Sequence, residues 1–471
     1  MSVETGRVKK NTYFIAISQV AQLTLAFFLN WVATRTLGDE NFGKYMFASV
    51  LSFFVFLCND LGIVTYVTRE VAKQKERVEE FFLNGLMLKI LLIGVSCVFL
   101  GIYLNVFSFQ RDKLITVILF GVFGIFFSFN QLCIAIFRAF ERMEYEMFVL
   151  IAERVVISAL GITLLLRGRG LVSFSGAFVL GSAFCMLLSF YLIKKKFLHK
   201  RARLKWVFMK RLLSASFMVG VFWIITNIHE RVDILMLEAM KSDAVVGWYT
   251  LAYKLILVAG VIPMILMTST FPRISRDTGK NEGTVNAIYR VGFKYLFFIA
   301  LPMVVGTLFL ADKIVLFFGD DFANAGVALR ILIFAAGVDF FSIFFAGFLI
   351  AWNRQRDLTL LQCVALFLNI AVNAILIPFY GYIGASVATV LSRSLIFIVC
   401  FIWVFRRMHR IETRPLVQGM LATLGMALFL AFWGRDLFLT VVLSGMIYGG
   451  ILWLMGGIRP EEILVMRKIG T

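Results

Sequence analysis

The chain has 471 residues, 61% of them hydrophobic and only 16% charged. A soluble globular protein of this length would need far more polar surface, and a mean hydropathy of +0.89 fits a polytopic membrane protein. The net charge of +19 would suggest nucleic acid in a soluble chain. Here no basic, aromatic-interleaved segment lies outside the apolar runs, so nucleic acid is excluded as a partner and the charge reads as topology within a lipid bilayer.

The N-terminus, MSVETGRVKKNTYFIAISQV, is basic and then apolar to about Val32. That run is too long for a signal-peptide core and no small-residue cleavage site follows, so it reads as a retained first span. Apolar runs of spanning length then recur to the end of the chain. They predict an all-α integral membrane fold of fourteen spans, near 12–34, 43–66, 82–104, 114–136, 147–166, 171–193, 213–237, 244–269, 290–311, 325–350, 358–377, 381–405, 416–434 and 437–457.

Charge supports this count. With the N-terminus inside, 31 of the 47 Lys and Arg fall in inside segments and 9 in outside segments, the remaining 7 lying within spans. Such an asymmetry is expected of a correct topology with both termini cytoplasmic. The most basic loop, 194–211, reads as a linker resting on anionic lipid headgroups.

That loop separates two similar halves. Gly43, Tyr45 and Ala48 match Gly247, Tyr249 and Ala252 at an offset of 204. Ala139-Phe-Glu-Arg142 parallels Ala351-Trp-Asn-Arg354 at 212, and Gly176-Ala177 parallels Gly384-Ala385 at 208. Ordered matches at nearly equal offset indicate a duplicated six-span unit. Because six is even, the copies share one orientation, a parallel repeat about an axis along the membrane normal. The expected organisation is a first bundle over 1–205, a second over 206–411 and a terminal helix pair over 412–471. Pro263 and Pro302 are candidates for kinks in spans eight and nine.

Charged residues inside the spans mark the candidate site, because each costs at least a few kcal/mol in an apolar span. The stretch 217–237 holds His229, Glu230, Arg231 and Asp233. On a continuous helix His229 and Asp233 share a face, as do Glu230 and Asp233, while Arg231 points away and meets another helix. The basic residues form a ladder by depth. Arg35, Arg231 and Arg330 lie toward the outer end, Lys254 and Arg393 near the middle, and Lys89, Arg154 and Lys294 toward the inner end. Arg35 and Arg330 can reach the interface by their long stems. The substrate-binding set is therefore Arg231, Lys254, Arg393, Lys89, Arg154 and Lys294. The carboxylates Asp60, Glu230, Asp233 and Asp339 are left for pairing or for coupling to H⁺ or Na⁺, and Glu153 for pairing. Excess positive charge suits an anionic phosphate or diphosphate.

The sequence offers no catalytic constellation. The six cysteines lie in apolar runs without a CxxC pair, and three histidines are too few to suggest a zinc or haem site. No GxxxxGK[ST] motif for ATP is present. Neither an enzyme nor a cofactor or metal protein is expected.

The fourteen spans in a 6 + 6 + 2 arrangement carry LGDENFGKYMFA (37–48), NDLGIVTYVTRE (59–70), ERVDILMLEAMKSDAVVGWYTLAYKL (230–255) and GYIGASVATVLSR (381–393). In these segments the chain resembles the polysaccharide-exporting, Wzx-type O-antigen flippases of the MOP superfamily. The resemblance implies a MATE-like fold in a prokaryotic cell membrane. It also implies flipping of a polyprenyl-diphosphate-linked oligosaccharide to the outer leaflet, with a polysaccharide polymerase and glycosyltransferases as partners. By that analogy Arg231, Lys254 and Arg393 lie closest to the head group. A peptidoglycan lipid-precursor flippase shares the architecture. A MATE-type drug antiporter would have twelve spans and an acidic cavity.

Overall fold

The structure, a computed structural model, describes residues 2–107, 109–200, 202–408, 412–433 and 436–458. Arg201 of the basic linker, Arg435 and the C-terminus from 459 lie outside the described residues. Within them the regular structure is helical. Among the described residues twelve helical stretches are long and apolar enough to cross a membrane, against fourteen expected spans.

The helices are α1 Ser2–Asp60, α2 Ile63–Lys73, α3 Val78–Val106, α4 Arg111–Ala139, α5 Met143–Leu166 and α6 Leu171–Lys196, then α7 Trp206–His229, α8 Val232–Met240, α9 Asp243–Ala259 and α10 Val261–Asp277. They continue with α11 Glu282–Leu316, α12 Ala325–Ala351, α13 Gln355–Tyr380, α14 Tyr382–Met408, α15 Thr413–Phe432 and α16 Leu437–Leu454. Among the described residues each expected span is occupied mostly by helix, but the interruptions differ from expectation. The first two expected spans run together in α1, parted only by a kink at Gly38 (φ 73°), a conformation open to glycine. The seventh, expected to be continuous, breaks at Glu230 and Arg231. In the eighth, Pro263 has no N–H for the Ala259 carbonyl, and the helix breaks at Gly260. Pro302 stays inside an unbroken α11.

The chain divides into two compact units, 1–231 and 232–471. The sequence places the end of the first bundle at 205, whereas the first unit also holds α7. The reason is apolar packing: Leu212 of α7 is buried with Ile63 and Val67 of α2 and with Phe81 and Phe82 of α3. The core of the second unit is rich in phenylalanine, with Phe340, Phe344, Phe345 and Phe348 of α12 buried against Tyr289 of α11 and Ile396 of α14.

The turns predicted to be equivalent share one geometry. Glu141 and Asn353 both take a left-handed conformation, φ 57° and 59°. Arg142 N–H bonds to Phe137 O and Arg354 N–H to Leu349 O, both at 2.9 Å. These bonds close the helix C-termini in the same way.

Candidate functional site

In the first unit a cavity of about 280 Å³ lies between α1, α2, α4 and α7. Phe53, Phe56, Phe127 and Ile224 make its wall largely apolar, while Asp60, Thr65, Gln131 and Arg138 supply polar groups. Part of the wall is bare backbone. Leu61 and Gly62, φ 41° and 80°, end α1 and turn the chain into α2. A Cβ on Gly62 would lie 2.5 Å from the Ser216 carbonyl oxygen, and one on Gly220 would overlap the Leu61 carbonyl. The turn and α7 therefore touch with no side chain between them.

Asp60 faces this cavity and neutralises Lys89. The ammonium donates to Asp60 Oδ1 at 2.8 Å and to Ser128 Oγ at 3.0 Å, and the Lys89 side chain is 0% exposed. An opposite charge and a hydroxyl are what make a buried lysine tolerable. Arg231 meets another helix, as expected, but through a ring and not a carboxylate. Its guanidinium carbon lies 4.0 Å from the centroid of Phe53, within cation–π range, and its Nε is buried without a hydrogen-bond partner.

Arg138 was not among the expected site residues, because it falls at a span end and is counted with a loop. It lines the cavity. Phe127, Gln131 and Arg138 recur at spacings of four and seven, one stripe of a helix, and that stripe was the available signal. Glu146 of α5 accepts from Arg138 Nε at 3.1 and 3.0 Å and from Nη2 at 2.6 Å.

The second unit holds a buried polar network centred on Asp233, which is 2% exposed. Its carboxylate accepts from Tyr249 Oη at 2.7 Å, Thr389 Oγ1 at 2.8 Å and Asn373 Nδ2 at 2.5 Å. Asn373 Nδ2 also donates to Asn369 Oδ1 at 3.0 Å, while Asn373 Oδ1 is buried without a partner. These hydrogen-bonding side chains are all neutral. The sequence expects His229, Glu230 and Asp233 on one continuous helix, whereas α7 ends at His229 and α8 begins at Val232. The repeat offsets place Leu29, Ile157 and Gly161 where the second unit has Asp233, Asn369 and Asn373. Leu29 and Ile157 are buried, so the first copy is apolar where the second is polar.

Arg393 pairs with Asp339 at 3.2 Å and donates to Tyr253 Oη at 3.1 Å. Lys254 is half-buried on α9 next to Tyr253. Lys294 is buried near the rings of Tyr295 and Phe298, at 5.5 and 5.7 Å. Arg154 is half-buried beside the buried Glu153, and Glu230 caps α7. The structure thus brings Lys89, Asp60 and Arg231 to the cavity region of the first unit and joins Arg393 to Asp339.

Residues 8–277, more than half of the chain, match the family described as polysaccharide biosynthesis protein. The chain belongs to that family. Residues 219–375 of this family member also match the MatE family. The probable flippase AglR of Haloferax volcanii is 30% identical over 168 residues, a match spanning 35% of each chain. The probable low-salt glycan biosynthesis flippase Agl15 of the same organism is 23% identical over 76% of this chain and 75% of its own. In fold, this member of the family is similar to the lipid II flippase MurJ in an inward closed conformation. The TM-score is 0.77 at 17% identity, covering 96% of this chain and all of that one. It is a multi-pass membrane protein with a MOP-type, MATE-like fold.

Proposed function

We propose that the protein is a flippase that carries a polyprenyl-diphosphate-linked oligosaccharide from the cytoplasmic to the outer leaflet by alternating access, for surface polysaccharide assembly. Family membership over more than half of the chain carries this reading, and relatives named as flippases support it. The protein acts as a transporter and catalyses no covalent step. It resides in the cell membrane of a prokaryote, crossing fourteen times with both termini cytoplasmic and working beside glycosyltransferases and a polymerase. Bundle limits at 205 and 411, read from the repeat, are part of this proposal.

The diphosphate is drawn by the basic residues Arg231, Lys254, Arg393, Lys89, Arg154 and Lys294, with Arg231, Lys254 and Arg393 closest to the head group; of these, Arg231 and Lys89 belong to the cavity region of the first unit. Asp233 is the coupling group. The oxygens of Asp233, Asn369, Asn373 and Thr389 form a hard, all-oxygen donor set suited to Na⁺ or a proton, and the buried, unpartnered Asn373 Oδ1 is the atom such an ion would satisfy.

The test is transbilayer movement of a fluorescent polyprenyl-diphosphate oligosaccharide in proteoliposomes. Movement that requires the protein and the diphosphate is expected. Efflux of cationic drugs with no lipid movement would overturn the reading in favour of an antiporter. The match to MurJ along its whole length favours a second reading, a peptidoglycan-precursor flippase. Movement of lipid II in preference to other glycans would establish that one.

A further inference from the structure

We propose that Arg138 is the residue that receives the diphosphate at the mouth of the first unit's cavity, before the head group reaches Arg231. This inference rests on the flippase reading. Among the charged side chains near this cavity, Lys89 is sealed behind Asp60 and Arg231 sits over the ring of Phe53. Arg138 both lines the cavity and keeps 44% of its side chain exposed. It sits at the C-terminal end of α4, on the side where the topology expected from the sequence puts the cytoplasm and the substrate. From Phe127 to Arg138 the lining stripe covers about 16 Å of helix.

Glu146 engages Nε and Nη2 of Arg138. The guanidinium is therefore held in one orientation, and no bond to Nη1 is part of that clamp. A fixed fork loses less freedom on meeting a phosphate than a free one.

A salt bridge at a helix end could instead serve only to hold the turn between α4 and α5. The other copy argues against that. The equivalent turn, with the same left-handed third residue and the same closing bond, forms in the second unit. There the repeat offset puts Ile350 at the position of Arg138 and Leu358 at that of Glu146. That turn has Arg354 bonded to Asp357 at 2.6 Å instead, so the fold does not require a pair at the positions of Arg138 and Glu146.

The experiment measures half-saturating concentrations for the same fluorescent diphosphate lipid in proteoliposomes, comparing wild type with Arg138→Gln, Arg138→Lys and Glu146→Gln. Loss of a charge-assisted phosphate contact should raise the value for Arg138→Gln about tenfold or more, with Arg138→Lys in between. Glu146→Gln frees the guanidinium but keeps the cation, so its value should rise by about threefold, well short of the rise for Arg138→Gln. Equal losses in Arg138→Gln and Glu146→Gln would show a merely structural pair and overturn the assignment. An unchanged Arg138→Gln would overturn it as well. Wild-type protein that moves no diphosphate lipid would overturn the flippase reading itself, and the role of Arg138 with it.

Discussion

Lys89 and Asp233 are both sequestered from water, yet they are stabilised by opposite means. Lys89 has a counter-charge, so removing it leaves Asp60 unpaired. Lys89→Met is expected to cost about 3 kcal/mol, and the double change Lys89→Met with Asp60→Leu should recover most of that. Thermal unfolding of the detergent-solubilised protein would show the non-additivity. Asp233 is held by hydroxyl and amide donors, and Asn is its neutral isostere. Asp233→Asn should keep the fold within about 1–3 kcal/mol and, if Asp233 couples transport as proposed, abolish any dependence on Na⁺ or pH that the wild type shows. Unaltered ion dependence in that variant would exclude Asp233 as the coupling group. The sequence exposed these charges because charge in an apolar run is conspicuous. Their partners were not legible, since Lys89 and Asp60 are 29 residues apart and Asp233 reaches Asn373 across 140. Arg138 went unseen for the complementary reason: at a span end, a cation is ordinary.

Helices were legible from apolar length alone, and their ends were not. Gly38 shows why: a single residue with positive φ separates two expected spans, where the sequence pattern suggests a loop. The break at 230–231 has no proline or glycine beside it to announce it. The contact of Gly62 with Gly220 is an element-scale feature of the same kind, visible only once the helices are in place. A methyl group at 220 has no room and must push α7 away from the turn at 61–62. Gly220→Ala is expected to destabilise the protein by about 1–3 kcal/mol and to loosen one cavity wall. In a cysteine-free background, a cysteine at Thr65 should then react faster with a water-soluble thiol reagent. An unchanged labelling rate would mean the wall is held by other contacts.

Across the whole molecule, the proposed diphosphate cargo would couple to the membrane potential by simple electrostatics. About two negative charges leaving a negative interior across 100 mV release about 4–5 kcal/mol. Flipping should therefore accelerate with the potential negative on the loading side and slow when it is reversed. Valinomycin-clamped proteoliposomes can test both signs. The duplicated architecture was readable from short matches such as 139–142 with 351–354, because a turn that closes a helix tolerates few residues. What each half does with its interior was not readable, since the partners of a side chain inside a bundle come from distant helices. The difference has a genetic consequence. The second unit has Asp233, Asn369 and Asn373 where the repeat offsets put Leu29, Ile157 and Gly161 in the first. A saturation scan should find the two triplets under different selection: size alone would limit the first, whereas donor and acceptor identity would limit the second. The two halves of the gene are thus similar in outline and unequal in what they permit to change.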